Sequence, residues 1–447
     1  MNIEKLGFST QNSGSENIKI LQAAVDEYKE IEITDSGVYE VAGTVYLDDD
    51  VTLTFGKDVV IKRVDSGKGK NGYFLVNRGA FTGKYNKNIT IKGLSLVENN
   101  IESAAALSVD LLPELMEQGE DTLNDYYDET IIGLRGQLSF MYVENLKIYD
   151  FTLNDLCSWD YAVQISDFRN IEIDTVHIEG NKDAIHFGTG KGFILRNGTF
   201  RTKDDPIALN ADDYSPSAPT IGTIEDGLIE NCIDLDQEST YGYFVRLLIG
   251  SQGEWKKGME VMHSDSVIYE GREYRSVLPD DGTRKISLTP PTHEKGFKII
   301  DGIAWVRVHG GRSEKPQYTA DIKNVTFRNL ISEKTRKNTV ILYVCENNIH
   351  RGRREDTPIP KIENIVFDDI KIKGETETAF LLCAPADKLT IKNCDLNGAG
   401  IRFEQGSCGI GKYPASFSLE NVRNFRLDDA NAFRNRNADD AAYTVKY

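Results

Sequence analysis

The sequence predicts an all-β solenoid, a parallel β-helix that winds once every twenty-odd residues. One short phrase recurs along most of the chain. Inside each copy, apolar and polar residues alternate with period two, the mark of a half-buried strand, then turn and alternate again. The 38 Gly against 12 Pro suit a turn-rich β protein.

The chain opens with a different signal. Residues 16–26, within Ser15-Glu-Asn-Ile-Lys-Ile-Leu-Gln-Ala-Ala-Val-Asp26, have helical spacing, with Ser15 or Asn17 as cap and Ile18, Leu21, Ala24 and Val25 on one face. A helix there would cover the open first turn and hide a strand edge. The phrase then appears at Asn88-Ile-Thr-Ile-Lys-Gly-Leu-Ser-Leu96 and Asn145-Leu-Lys-Ile-Tyr-Asp-Phe-Thr-Leu153. It returns at Asn170-Ile-Glu-Ile-Asp-Thr-Val-His-Ile178 and Gly192-Phe-Ile-Leu-Arg-Asn-Gly-Thr-Phe200, and later copies start at Asn324, Asn364 and Lys388. Nearly all begin on a polar residue, and the polar residue between two strands supplies the bend. Neighbouring copies start 25 (145 to 170), 22 (170 to 192) and 24 (364 to 388) residues apart. The step from 324 to 364 fits two turns, or one turn plus a loop. Periods in the twenties imply a solenoid. The Leu frame and per-repeat helix of a leucine-rich repeat are missing, so short strands must make up each turn.

Two segments interrupt the winding. Residues 103–130 are acidic and locally helical, an excursion from the solenoid. Residues 252–300 carry Trp255, Met259, Met262, Tyr269 and Tyr274, then Pro290-Pro291, and read as a β-rich insertion. No low-complexity linker divides the chain. Its 447 residues could hold two or three average domains, but a solenoid grows by adding turns, so one domain over 1–447 is expected.

Composition narrows the function. Lys+Arg 52 against Asp+Glu 70 gives a net charge of −18, which disfavours nucleic acid and anionic membranes as partners. No apolar run reaches the ~18 residues of a membrane span. The start, Met1-Asn-Ile-Glu-Lys-Leu6, lacks a basic segment followed by an apolar stretch. It reads as a chain that stays in the cytoplasm, or as a secreted one that has lost its leader. Cys157, Cys232, Cys345, Cys383, Cys394 and Cys408 are scattered without a CxxC, which suits small buried residues and not a zinc site. No metal or other cofactor is expected.

The chemistry concentrates in Asn181-Lys182-Asp183 and Lys203-Asp204-Asp205-Pro206. Asp183 and Asp204 lie 21 residues apart, about one turn, and each motif precedes an apolar strand, Ala184-Ile-His-Phe187 and Pro206-Ile-Ala-Leu209. Three carboxylates would crowd one surface. Like charges held close raise at least one pKa, which suits an acid and a base working on one bond. Asp also lines solenoid corners for structural reasons. With strands ~4.8 Å apart, slightly offset carboxylates would fall near the ~6.5–9.5 Å of an inverting glycosidase.

These motifs resemble glycoside hydrolase family 28, the polygalacturonase family of right-handed parallel β-helices with the pectate-lyase-like fold. Members carry Asn-Thr-Asp, then Asp-Asp one coil later, then Gly-His-Gly, then Arg-Ile-Lys. Asn181-Lys182-Asp183 matches the first with Lys for Thr, and Asp204-Asp205 matches the second. The resemblance implies that Asp204 or Asp205 protonates the leaving oxygen while Asp183 and the remaining partner activate water. The third motif is replaced by Tyr241-Gly-Tyr-Phe-Val-Arg-Leu-Leu-Ile-Gly-Ser251, with Arg246 in the histidine region. The fourth resembles Val306-Arg307-Val308-His309.

The resemblance thus implies an inverting glycosidase, with Asn181, Arg246, Arg307 and His309 beside the substrate and Trp305 and Tyr243 available to stack on sugar faces. For the arginines the plain reading is neutralisation of the Asp cluster, and for the aromatics ordinary packing. The two altered motifs argue against ordinary polygalacturonan. The two interruptions could wall off one end of a cleft, which predicts exo-acting cleavage of an oligosaccharide. Two other readings stay open. One is a lyase or epimerase on the same scaffold, with Lys182 or Lys203 as base. The other is a non-catalytic carbohydrate-binding solenoid.

Overall fold

Stacked columns of apolar side chains run the length of the solenoid. The computed structural model describes residues 1–66, 72–101, 113–127, 131–308, 316–344, 357–384, 386–403 and 417–428. Each turn has three strand positions, and each position pairs in parallel with its equivalent on the next turn. The first column runs Leu138, Val163, Ile185, Ile207, Val245, Val340, Phe380. The second runs Ile91, Ile148, Ile173, Leu195, Ile229, Phe327, Phe367, Ile391. The third runs Leu96, Leu153, Ile178, Phe200, then Asp234, Ser332 and Ile372. All the apolar members are buried. Identical spacing lets like side chains nest; the rings of Phe327 and Phe367 stack at 4.6 Å.

The repeated phrase works through its first residue. Asn145, Asn170, Asn324 and Asn364 all have φ between 53° and 58°, the left-handed region that Asn tolerates through its short polar side chain. Gly192 takes the same role at φ 73°. These residues turn the chain from the first column into the second. They also bond along the axis: Asn364 Nδ2 donates to Asn324 Oδ1, and Asn324 Nδ2 to Asp226 Oδ1, both at 2.9 Å.

The N-terminal helix α1, Gly14–Glu27, is one turn-fraction longer than expected and its cap is Ser13, not Ser15 or Asn17. Ser13 and Glu16 form a reciprocal capping box, which satisfies two free amide donors. Asn17 is buried instead, donating to the carbonyls of Ser9 and Glu40 at 2.9 Å. Gly14 is required: a Cβ there would lie 2.4 Å from Val64 Cγ2. Leu21, Ala24 and Val25 join the solenoid core.

The insertion is a five-stranded sheet of Gly253–Glu254, Ser266–Tyr269, Arg272–Ser276, Phe297–Ile300 and Ile303–Arg307, with a separate two-stranded antiparallel sheet of Met259–Val261 and Lys285–Ser287. It therefore runs past residue 300 and takes in Trp305 and Arg307. Within the expected excursion, the helix Glu120–Tyr127 packs onto this sheet. Phe297 N donates to Asn124 Oδ1 at 2.9 Å, and Leu123 packs with Phe297 and Ala304. Cys157, Cys232 and Cys394 are buried and free; Cys345 and Cys408 lie outside the described residues. Among the described residues no helix is long and apolar enough to cross a membrane.

The connections from the third column back to the first differ in length, and this places the site. From the N-terminal end they span 6 positions (39 to 45), 14 (61 to 75), 42 (96 to 138), 10 (153 to 163), 7 (178 to 185), 7 (200 to 207), 11 (234 to 245) and 8 (332 to 340). Two short corners thus lie recessed between longer ones.

The turn residues should be sensitive to backbone chemistry more than to polarity. Asn324→Val places a β-branched residue at positive φ and breaks two axial hydrogen bonds, whereas Asn324→Gly breaks only the bonds. Chemical denaturation should show Asn324→Val less stable than Asn324→Gly by about 1–2 kcal/mol. Equal stability would mean that the left-handed turn is not strained by a side chain.

Candidate active site

The two short corners carry Asn181-Lys182-Asp183 and Lys203-Asp204-Asp205. Their backbones are locked in register: Lys203 N donates to Gly180 O at 2.9 Å and Ala184 N to Asp205 O at 3.0 Å. Asp183 therefore stacks on Asp205, and Lys182 on Asp204. The neighbouring turns extend the first stack to Tyr161 on one side and Tyr243 on the other. Asp183, Asp204 and Asp205 are all buried, and one oxygen of each lies within 4.8 Å of the others. This is tighter than the offset arrangement the strand spacing suggested. The reason is the absence of an offset: Asp183 and Asp205 occupy one column on adjacent turns.

Each carboxylate has its own partners. Asp205 Oδ1 accepts from Tyr243 N at 2.6 Å, and Oδ2 lies 3.4 Å from Arg246 Nη1. Asp183 Oδ2 is 3.3 Å from Nδ1 of His186, which is buried and stacked on Tyr161 at 4.3 Å. Asp204 Oδ2 accepts from the Lys182 ammonium, whose Nζ is also 3.9 Å from Asp183 Oδ1. Arg246 bridges Asp205 to Asp213 Oδ2, at 3.5 Å, and lies over the Tyr343 ring.

These surroundings split the three acids. Burial, then the Asp204 charge, pushes Asp183 up to about 7. Burial, then Asp204 and Asp183, pushes Asp205 up to about 8. Asp204 is also pushed up by burial, but the charge and hydrogen bond of Lys182 outweigh it and hold its pKa below the ordinary value. Burial would lower Lys182, but the charge of Asp183, with Tyr161 and Asp204, raises it. Burial drives His186 down to about 3, so the ring is neutral. At neutral pH the cluster thus offers the ionised Asp204 beside Asp205, which holds its proton, and Asp183, which is part-way through its titration: an acid and a base within reach of one another.

The oxygens of the trio are close enough to ligate a cation, as are the ligand atoms of Glu98, Cys157 and Asp160. In the trio, Lys182 and Arg246 already supply the countercharge. In the second group, Gln137 Nε2 bridges Glu98 and Asp160 at 2.9 and 2.8 Å.

The corner brings together Asp183, Asp204, Asp205, Tyr243 and Arg246, with Asn181 on the same turn. Trp305 and Arg307 lie elsewhere. Trp305 has no exposed surface and fills the core of the inserted sheet with Val261, Val267 and Tyr274, so it has no free face for a sugar. Arg307 belongs to that sheet too, donating to Glu273 O at 3.0 Å. The solenoid position one turn beyond Arg246 is Ile341, reached only after the insertion has been traversed. His309 lies outside the described residues. Lys334, which the sequence reading passed over, is buried and donates to the carbonyls of Thr202, Lys203 and Tyr241 at 2.8–3.0 Å, fixing the Asp204 corner to the next. Its only sequence signal is a lysine that follows directly on a strand phrase. Gly242 packs against Asp204 at φ 74°; a Cβ there would lie 2.6 Å from the Asp204 carbonyl carbon.

No protein-family model and no curated protein matches the sequence. Among solved structures the chain is similar to the hyperthermoactive exopolygalacturonase from Thermotoga maritima, with a TM-score of 0.51 and 9% identity over 96% of this chain and 92% of that one. The fold is a polygalacturonase-like right-handed parallel β-helix. Other similar structures are the family 28 exopolygalacturonase of Yersinia enterocolitica, with a TM-score of 0.48 and 11% identity over 100% of this chain and 76% of that one, and the Streptococcus pneumoniae surface protein and adhesin PfbA, with 0.47 and 13% over 100% and 98%.

The raised acids have a consequence for stability. A carboxyl whose folded pKa is raised binds its proton more tightly in the folded state. Its stabilising effect is full below the ordinary value of 3.8 and is lost as pH climbs through about 7–8. Asp205→Asn removes one such group. Its melting temperature relative to the wild type should rise between pH 5 and about pH 8 and level off above that. A difference that does not change with pH would show that Asp205 titrates as an ordinary carboxylate.

Proposed function

We propose that this chain is a glycoside hydrolase that cleaves an oligosaccharide at the Asp183–Asp204–Asp205 corner. The observation that carries the reading is three buried carboxylates within 4.8 Å of one another, with Lys182 paired to Asp204 and Asp183 pressed on Asp205. Asp205 is the general acid: its proton stays on to about pH 8 and protonates the leaving oxygen. Asp204, held ionised by Lys182, is the base that takes a proton from water. Asp183, stacked between Tyr161 and Asp205, orients that water.

Inversion is our reading of the stereochemistry. The close packing of the trio is nearer the ~5–5.5 Å of retaining enzymes. However, a nucleophilic Asp204 would have to leave Lys182 and reach the anomeric carbon from a nearly buried position, whereas a base acts through an intervening water. An exo mode is supported by the lengths of the corners alone: the connection two turns before Asp183 spans 42 positions, while the corner after residue 332 spans 8. Arg246 is occupied by Asp205 and Asp213, and Lys182 by Asp204, so the corner is better furnished for a hydroxyl-rich sugar than for polygalacturonan. The base of a lyase is poorly supported, because Lys182 is held protonated and Lys203 is exposed.

Three measurements test this. New reducing ends should appear from at least one member of an oligosaccharide panel, without the ultraviolet absorbance of an unsaturated lyase product. Asp204→Asn should lower kcat by 10²-fold or more while the melting temperature holds within a few degrees; near-normal turnover would remove Asp204 from the mechanism. In the pH profile of kcat/KM, the alkaline limb should fall near pH 7–8. Lys182→Gln should move the acid limb to higher pH, since Asp204 loses the charge that depresses it. An acid limb that stays in place would refute the pairing's role. Proton NMR of the first product anomer separates inversion from retention.

A further inference from the structure

Beyond the carboxylates, the corner edge carries two exposed aromatic rings on rigid mounts. Among the described residues, three aromatic side chains are more than 40% exposed: Trp159, Tyr241 and Tyr318, at 52%, 68% and 41%. Two of these three stand at the tips of the longer corners, of 10 and 11 positions, that flank the recessed carboxylate corners. Chance exposure would scatter them over the surface.

Both tips are held by buried polar groups. On the Trp159 side, Glu98 Oε2 accepts from Cys157 N at 2.8 Å, and Asp160 Oδ2 from Gln137 Nε2 at 2.8 Å. Gln137 in turn accepts from Arg63 Nη1 at 2.7 Å, and Glu98, Asp160, Gln137 and Arg63 are all buried. On the other side, the Tyr241 carbonyl accepts from Lys334 Nζ at 3.0 Å and Arg336 Nη1 at 2.9 Å. Arg336 is itself paired with buried Asp234 through Nε at 2.8 Å and Nη2 at 3.1 Å. Burying such charges is costly, and an apolar filling would usually be as stable. What the arrangement secures is position: the backbone is fixed while each ring is left in solvent. The Tyr241 ring is near the reacting groups, since the Asp204 charge, ahead of burial, raises its hydroxyl pKa.

We propose that Trp159 and Tyr241 are the sugar-stacking platforms of this groove, one on each side of the scissile bond. The proposal rests on the hydrolase reading for the word scissile, but not for the binding. Three turns separate the two corners, about 14 Å along the axis, which gives the groove room for about three sugar rings. Aromatic faces suit the C–H face of a pyranose, and two of them set both the register and the minimum length of chain that binds well. Trp159, on the side of the 42-position connection, takes the terminal sugar; Tyr241 takes the sugars on the leaving side.

The test uses fluorescence and kinetics on one panel: oligogalacturonides and neutral gluco-, xylo- and arabino-oligosaccharides of two to five sugars. The chain has three tryptophans; Trp305 is fully buried and Trp255 half-buried in the insertion, so a change in emission on binding reports Trp159. Titration of the Asp204→Asn protein should shift emission saturably, with affinity rising up to three sugars and then levelling. The shift should vanish in the Asp204→Asn protein that also carries Trp159→Phe. In the active protein, Trp159→Ala and Tyr241→Ala should each raise KM roughly tenfold with kcat little changed, because stacking binds ground and transition states alike. Unchanged KM in both variants, on a substrate the wild type cleaves, overturns the platforms and leaves the hydrolase intact. An emission shift with no cleavage supports the platforms and overturns the hydrolase. Neither shift nor cleavage across the panel overturns both.

Discussion

Register between successive turns is the constraint on which everything else depends. A parallel ladder places each residue directly over its equivalent on the next turn, so any side chain chosen once is judged against its neighbours above and below. Apolar columns gain from this, and the solenoid core is three such columns. Asn columns gain too, through left-handed turns and axial amide bonds. Carboxylates lose by it, because the ladder forces Asp183 against Asp205 with no freedom to splay apart.

That cost shapes the groove. Two cations lie directly on the trio, Lys182 and Arg246, and two more, Lys334 and Arg336, brace the backbone behind it. Asp234 interrupts the third apolar column at the turn after Asp205, where Phe200 would lead one to expect another apolar residue. Its role is to hold Arg336, and through it the Tyr241 corner. Buried polar residues thus brace the turn that follows the carboxylates, as the Arg63, Glu98, Gln137 and Asp160 network braces the turns before them. Local corner length completes the arrangement: two short corners make a floor, and longer neighbours make the sides.

Much of this was legible in the sequence. Period-two alternation and starts 22–25 residues apart gave the winding, and the Asn that opens each phrase was recognisable as the bend. Asp183 and Asp204-Asp205 stood out because each precedes an equivalent apolar strand. What stayed hidden depends on three-dimensional register. Arg307 and Trp305 follow one another closely in a motif-like run, yet pairing with Tyr274 and Ser276 puts them in the inserted sheet. The insertion is a largely antiparallel unit whose strands alternate like those of the solenoid, so periodicity alone does not separate the two. Ser13 lost to Ser15 and Asn17 because all three precede the same apolar stripe; only Glu16, three residues beyond Ser13, distinguishes them. Nothing local in the sequence points to what Lys334 and Arg336 bind, since their partners lie 93 to 132 residues earlier.

The central claim is that the ladder divides three adjacent carboxyls into one whose pKa is held down and two whose pKa is raised. The direct measurement is carbon-13 NMR of protein labelled at the aspartate carboxyl, titrated from pH 4 to pH 9, with signals assigned by their loss in Asp183→Asn, Asp204→Asn and Asp205→Asn. The account predicts that the Asp183 and Asp205 signals remain largely those of protonated acids at pH 6 and titrate near 7 and 8, while the Asp204 signal is already that of a carboxylate at pH 6 and titrates below the ordinary value. Three signals titrating together near the ordinary carboxylate value would contradict it.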